Sequence, residues 1–159
     1  MKRISLDVER LTEESNFAAS IAKLQFELWG PLTGFDSLPG YEQFLRKTVH
    51  SAGLPAVLVA RRGKTLVGSV NLLTSEMTIR PELSPWLAQL FVVDAERGSG
   101  AGSALIHAVI DHAGKLGFRR IYLYTSGALP NYYVSRSWRP IEEVEYLGKT
   151  RTIMAFDLP

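Results

Sequence analysis

The chain has 159 residues, no cysteine and a formal net charge of +2, with 46% apolar and 21% charged residues. These are ordinary values for one soluble globular domain. The missing cysteine excludes disulfides, thiolate metal sites and a cysteine nucleophile, and the small, scattered positive charge argues against nucleic acid as the main partner. No apolar run approaches the ~20 residues of a membrane span. Residues 1–10 alternate charged and apolar side chains and lack the apolar core of a secretory signal, so a single cytoplasmic domain over residues 1–159 is expected.

In chain order, residues 4–8 alternate as an edge strand does. Residues 12–29 carry a helical pattern: Thr12 as cap, Glu13 and Glu14 in the first turn, then Phe17, Ile21, Leu24 and Leu28 at helical spacing. Gly30, Pro31, Gly34, Pro39 and Gly40 mark a long loop, followed by a short helix over 41–50. Two apolar runs, 56–61 and 66–74, flank Arg62, Gly63 and Lys64 as a hairpin. An irregular stretch with two prolines follows. The nearly unbroken apolar run 86–93 predicts a strand buried on both faces. A glycine cluster at 98–102 leads into a helix over 101–116, with Gly117 placed as its C-cap. A strand over 121–125, a short helix over 129–136 and a hairpin of 138–147 and 151–156 turning at Gly148 complete the chain. Strands interleaved with helices give an α/β or α+β domain, and the hairpins make its sheet mixed.

The informative stretch is residues 90–105, which reads strand, turn, glycine loop, helix. Glycines let the backbone approach a ligand closely. A helix start presents unpaired amides and the positive end of the macrodipole, so this junction suits a phosphate or pyrophosphate. A P-loop requires Lys and then Ser or Thr after its last glycine, but Ser103 and Ala104 follow Gly102. The dinucleotide fingerprint wants a third glycine where Ser103 stands and an acid about 20 residues on, where Arg119 and Arg120 lie.

Residues 97–102 match the Arg/Gln-x-x-Gly-x-Gly/Ala signature of the GNAT acetyltransferases, and Tyr132, Tyr133 and Trp138 fall in a segment similar to that family's Tyr-x-x-x-Gly-Phe/Trp element. The resemblance covers the second half of the chain well and the first half in its order of elements. Residues 80–88 also look like a subgroup of bacterial members. The resemblance implies the GNAT fold, a central mixed, mostly antiparallel twisted sheet of about seven strands flanked by about four helices. It also implies acetyl-coenzyme A as donor and an amine as acceptor. On it, the backbone of Leu90, Phe91 and Val92 pairs with the pantetheine arm and faces the thioester oxygen. Gly98, Ser99, Gly100, Ala101, Gly102 and Ser103 hold the pyrophosphate, and Arg97 contacts a phosphate or braces the loop. Tyr133 is the general acid for the departing thiolate, and Tyr132 is the core member of the pair. Ser126 stands nearest the asparagine often found early in the following loop, with Asn131 as a substitute contact. Ser137 replaces a usual glycine.

The general base is not fixed by the residues; Glu76, Gln89 and Glu82 are candidates by position. Trp29, Phe35, Tyr41, Trp86 and Tyr146 are candidates for an acceptor pocket. No metal site is expected, because His107 and His112 are five apart on different helix faces and His50 is alone. The acceptor class stays open among polyamines, aminoglycosides, amino acids and protein N-termini, as do a larger acyl group and a monomer or homodimer. A non-catalytic acyl-CoA sensor on the same fold is the rival reading.

Overall fold

The computed structural model describes residues 4–159. Its strands are β1 (Leu6–Arg10), β2 (Ala56–Arg62), β3 (Thr65–Leu73), β4 (Trp86–Val92), β5 (Arg120–Thr125), β6 (Arg139–Tyr146) and β7 (Lys149–Asp157). They form one seven-stranded sheet in the order β1-β2-β3-β4-β5-β7-β6. All neighbours are antiparallel except β4 and β5. The helices are α1 (Ala18–Trp29), α2 (Leu38–Thr48), α3 (Ala101–Lys115) and α4 (Leu129–Val134).

Both faces of the sheet are covered, which explains the unbroken apolar runs of the central strands. Along β2, Leu58 and Ala60 join the cluster under α3 with Leu105, Ile106 and Val109. Val57 and Val59 face the other way, toward Ile21 of α1 and Tyr41 and Leu45 of α2. Each fully buried aliphatic side chain of this kind contributes about 1.5–3 kcal/mol, so the two helical layers clamp the sheet from both sides.

The expected helix over 12–29 is broken. Thr12 introduces only a 3-10 turn, Glu13–Ser15, and Asn16 at φ 64° stops it before α1 starts. Asn tolerates the left-handed region because its short polar side chain can bond locally. Conversely, Pro39 and Gly40, expected in a loop, lie in the first turn of α2, where Ser37 accepts from the Gly40 amide at 3.2 Å. Proline is tolerated there because the first-turn amides have no helical partner. The final hairpin turns through Leu147 and Gly148, both at positive φ, as a two-residue turn compatible with strand twist requires.

Two arginines form ion pairs, Arg62 partly buried and Arg120 on the exposed surface. The Arg62 side chain is 15% exposed and holds both Glu96 oxygens at 3.2 Å, tying β2 to the entrance of the glycine loop. Arg120 bonds Asp157 at 2.6 Å.

The substitution at 137 has a local explanation. The amide of Trp138 bonds the Tyr133 carbonyl and that of Ser137 bonds the Val134 carbonyl, each at 3.1 Å, the paired bonds of a Schellman ending. Its left-handed position is Ser137, at φ 72°. A non-glycine residue costs about 1 kcal/mol there. Ser137→Gly is therefore expected to raise Tm by roughly 2–4 °C, measured by thermal melting; an unchanged or lower Tm would contradict this.

Candidate active site

The site is built where the sheet opens. Strands β4 and β5 share a single ladder pair, Trp86 with Tyr122, plus a bond from the Tyr122 amide to Pro85 O at 2.9 Å. Beyond it they diverge around a cavity of about 170 Å³, whose walls include residues 87–90 of one strand and 123–126 of the other. A bulge sharpens the divergence. Asn71 pairs with Ala88 and Ser69 with Phe91, so Gln89 and Leu90 together oppose Val70. Gln89 sits at φ 50°, a costly conformation for a residue with a Cβ.

Side chains hold that bulge in place. The buried Gln25 of α1 places Nε2 at 3.1 Å from Gln89 O and 3.2 Å from Ser69 Oγ and Asn71 Oδ1. Its Oε1 accepts from the Tyr41 hydroxyl. Asn71 Nδ2 is 3.1 Å from both the Tyr41 hydroxyl and Gln89 Oε1, and Gln89 Nε2 donates to Glu76 Oε1 at 3.2 Å. Burial pushes the Tyr41 hydroxyl upward, so it stays neutral inside this network. A satisfied polar network of this kind rigidifies its surroundings. Here it runs from α1 to a half-buried carboxyl on the cavity wall.

That carboxyl, Glu76, is pushed up to about 7, mainly by burial, with the Gln89 bond opposing. Tyr133 is pushed up to about 12 by burial, reinforced by Tyr132 and opposed by Arg136. Tyr133 lines both the cavity between the strands and a second one at the glycine loop.

The second cavity gathers Leu90, Phe91, Val92, Arg97, Gly98, Gly100, Ala101, Gly102 and Ser103. Gly98 and Gly100 have φ of 79° and 89°. The bond from Ala104 N to Gly100 O opens the helical ladder of α3, so the amides of Ala101, Gly102 and Ser103 precede it, and no side chain caps them. The Ser99 hydroxyl is buried without a partner. Arg97, 73% exposed, pairs with Asp94 at 3.2 Å.

Ser126 lies apart from this group, on the wall of the inter-strand cavity. Asn131 is exposed on α4, outside the residues lining either cavity. Tyr132 is a correction: Tyr133 is the more buried of the two, while Tyr132 lines the loop cavity, its hydroxyl 2.8 Å from where a Cβ on Gly102 would stand. The missing side chain at 102 makes that room. Trp86 is a second correction, being fully buried among Met77, Tyr146 and Ile153. Trp29 lines the inter-strand cavity; Phe35, Tyr41 and Tyr146 line an adjoining one that shares Glu76 and Gln89. Glu82 is exposed and lines neither.

Sequence reasoning did not single out Arg136 or Arg151. Arg136 lies 3.6 Å over the Tyr132 ring, donates to Ser103 Oγ at 3.1 Å and lines the loop cavity. Its signal was a cation one helical turn beyond Tyr132 (i, i+4), facing a phosphate loop. Among the described residues no group of three or more His, Asp or Glu side chains could hold a metal ion, and no helix is long and apolar enough to cross a membrane.

The family model described as Acetyltransferase (GNAT) family matches residues 20–133, and the chain belongs to that family. A search of curated proteins returned no match. Among solved structures, an acetyltransferase of the GNAT family from Streptococcus pneumoniae is 18% identical with a TM-score of 0.71, covering 98% of this chain and 100% of that one. An aminoglycoside 6'-N-acetyltransferase complexed with coenzyme A is 15% identical with a TM-score of 0.73, covering 96% and 98%. A spermidine N-acetyltransferase chimera of SpeG from Vibrio cholerae and hSSAT is 19% identical with a TM-score of 0.69, covering 96% and 95%. At these identities the likeness is one of fold, and it matches the seven-stranded mixed sheet and four helices described above. The donor of the family is acetyl-coenzyme A. The loop of this chain fits its pyrophosphate: uncapped helix-start amides and the side chains of Arg97 and Arg136 line one cavity, whereas Ser99 is not among its lining residues.

Proposed function

We propose that this chain moves an acetyl group from acetyl-coenzyme A to an amine by direct attack, with Glu76 as general base and Tyr133 as general acid. The observation that carries this reading is the inter-strand cavity, where a carboxyl raised to about 7 and a buried phenol line one space that shares Leu90, Leu129 and Tyr133 with the cavity at the glycine loop.

The amides of Gly98 and of residues 100–103, with Arg97 and Arg136, would hold the pyrophosphate, and the backbone of 90–92 the pantetheine arm; the Ser99 amide is taken by Glu96 O. Acetyl-coenzyme A supplies a thioester carbon open to attack and a thiolate leaving group. An ammonium has no lone pair, so the acceptor reacts as the neutral amine, its first proton having left to solvent; a carboxyl near 7 is matched to taking the second proton as the amide forms. As the C–N bond forms and the C–S bond breaks, Glu76 receives the nitrogen's proton and Tyr133 gives its own to sulfur. Solvent then restores both groups. The burial that raises the Tyr133 phenol also disfavours a bare thiolate beside it, so the sulfur's demand for a proton rises with the phenol's reluctance to lose one.

The sensor reading would be favoured by the lack of a base or by a distorted turn at Ser137. Glu76 supplies a candidate base, and Ser137 adopts the left-handed conformation a glycine would. Tyr133→Phe should lower kcat at least about 10-fold with the KM for acetyl-coenzyme A nearly unchanged, read by thiol release. Unchanged kcat would end the proposed role of Tyr133.

A further inference from the structure

Arg151 is a buried charge that the chemistry above leaves unused. It stands on β7, is 8% exposed, and lines the inter-strand cavity. Its Nε donates to Tyr146 O at 3.1 Å, and its guanidinium carbon is 5.7 Å from the Tyr124 ring centroid. Neither contact neutralises the charge, and among the described residues no carboxylate pairs with it. A guanidinium this buried and without a counter-charge is costly and persists where something repays it.

The cavity offers one acid and one base, Glu76 and Arg151. They are not each other's partners: the ionisation of Glu76 is governed by burial and Gln89, with no share from Arg151. Tyr124, on the same cavity wall, is raised mainly by burial and further by Glu76 and Tyr146, with Arg151 opposing. Two separated opposite charges on one small cavity complement a zwitterion.

We propose that the acceptor is a small amine bearing a carboxylate, an amino-acid-like compound whose carboxylate is bound by Arg151 while its amine faces Glu76. This rests on the acetyltransferase reading above and names its substrate class. The adjoining cavity shares Glu76 and Gln89 and is walled by Phe35, Tyr41 and Tyr146. It has no charged side chain besides Glu76, so an uncharged acceptor side chain fits it. Spermidine and aminoglycosides, named for two structural neighbours, are polycations. Arg151 would repel them, and a single acid lines the cavity to receive them.

The test compares glycine, L-methionine and L-phenylalanine, each with its α-carboxamide and alongside spermidine, in acetyl-coenzyme A-dependent thiol release. Loss of a charge-assisted bond to a buried arginine predicts that each carboxamide falls about 10- to 100-fold in kcat/KM below its amino acid. Arg151→Gln should erase that difference and Arg151→Lys restore part of it, with the KM for acetyl-coenzyme A unmoved in both. Equal turnover of acids and carboxamides, or preference for spermidine, would overturn the proposal while leaving the acetyltransferase reading intact. Turnover of no amine would instead count against that reading, and calorimetry on the coenzyme A-loaded protein then decides the role of Arg151. Carboxylate-dependent binding of L-phenylalanine lost in Arg151→Gln upholds it; no such binding overturns it. The acid–carboxamide comparison uses the unaltered chain and so stands even if the variants fold poorly.

Discussion

Glu76→Gln is expected to lower kcat by about 100- to 1,000-fold, the scale of a lost general base, and at the same time to stabilise the protein at pH 8. The two effects have one cause. In the folded chain Glu76 titrates near 7 against an ordinary 4.5. Between those values the folded state keeps a proton that the unfolded state has released. Stability is therefore fully present below pH 4.5, falls as pH rises through 7, and stays reduced above it. Gln cannot ionise yet still accepts the Gln89 bond, so the variant should gain roughly 1–3 kcal/mol at pH 8 and little at pH 4. A carboxyl kept where it costs stability points to function. Denaturant melts at the two pH values check the gain, and steady-state kinetics check the loss. A stabilised variant with full activity would remove Glu76 from the mechanism.

Gly68→Ala should be the most damaging small substitution in the sheet. A Cβ at Gly68 would lie 2.4 Å from the carbonyl oxygen of Phe91 and 3.2 Å from Val92 Cα. Both belong to the β4 backbone proposed to hold the pantetheine arm. Backbone cannot step aside as a flexible side chain can, so β4 must shift or the Gly68–Val92 pairing must fail. Overpacking against rigid atoms costs about 3 kcal/mol, which lowers Tm on the order of 10 °C in a chain of this length. Because the displaced strand lines the cavity at the glycine loop, where the donor is proposed to bind, acetyl-coenzyme A affinity should fall as well. Thermal melts and calorimetry read the two effects; wild-type values in both would mean that the close approach is dispensable.

The parts legible in the sequence were those written locally. The glycine loop, its strand and its helix occupy contiguous residues, and their turn chemistry announces an anion site without any tertiary information. The bulge at Gln89 was not legible. Nothing in residues 86–92 departs from a regular strand, and the positive φ depends on Gln25, which lies on α1 and reaches across to Gln89 O. Glu76 was visible only as one of two acids in an irregular stretch; burial raises its carboxyl and Gln89 positions it. Arg151 was not singled out because the cavity it lines is formed mainly by strands distant in sequence. Tyr132 and Tyr133 were exchanged in burial because a six-residue helix against a loop leaves no periodic pattern long enough to read.

The most direct test of the account is the pH dependence of kcat/KM for wild type and Glu76→Gln with one accepted amine. The account predicts a one-proton rise with an apparent pKa near 7 in the wild type that is absent from the variant, while any rise from the amine's own ionisation persists in both. The same limb near 7 in both proteins would show that Glu76 is not the group that takes the proton.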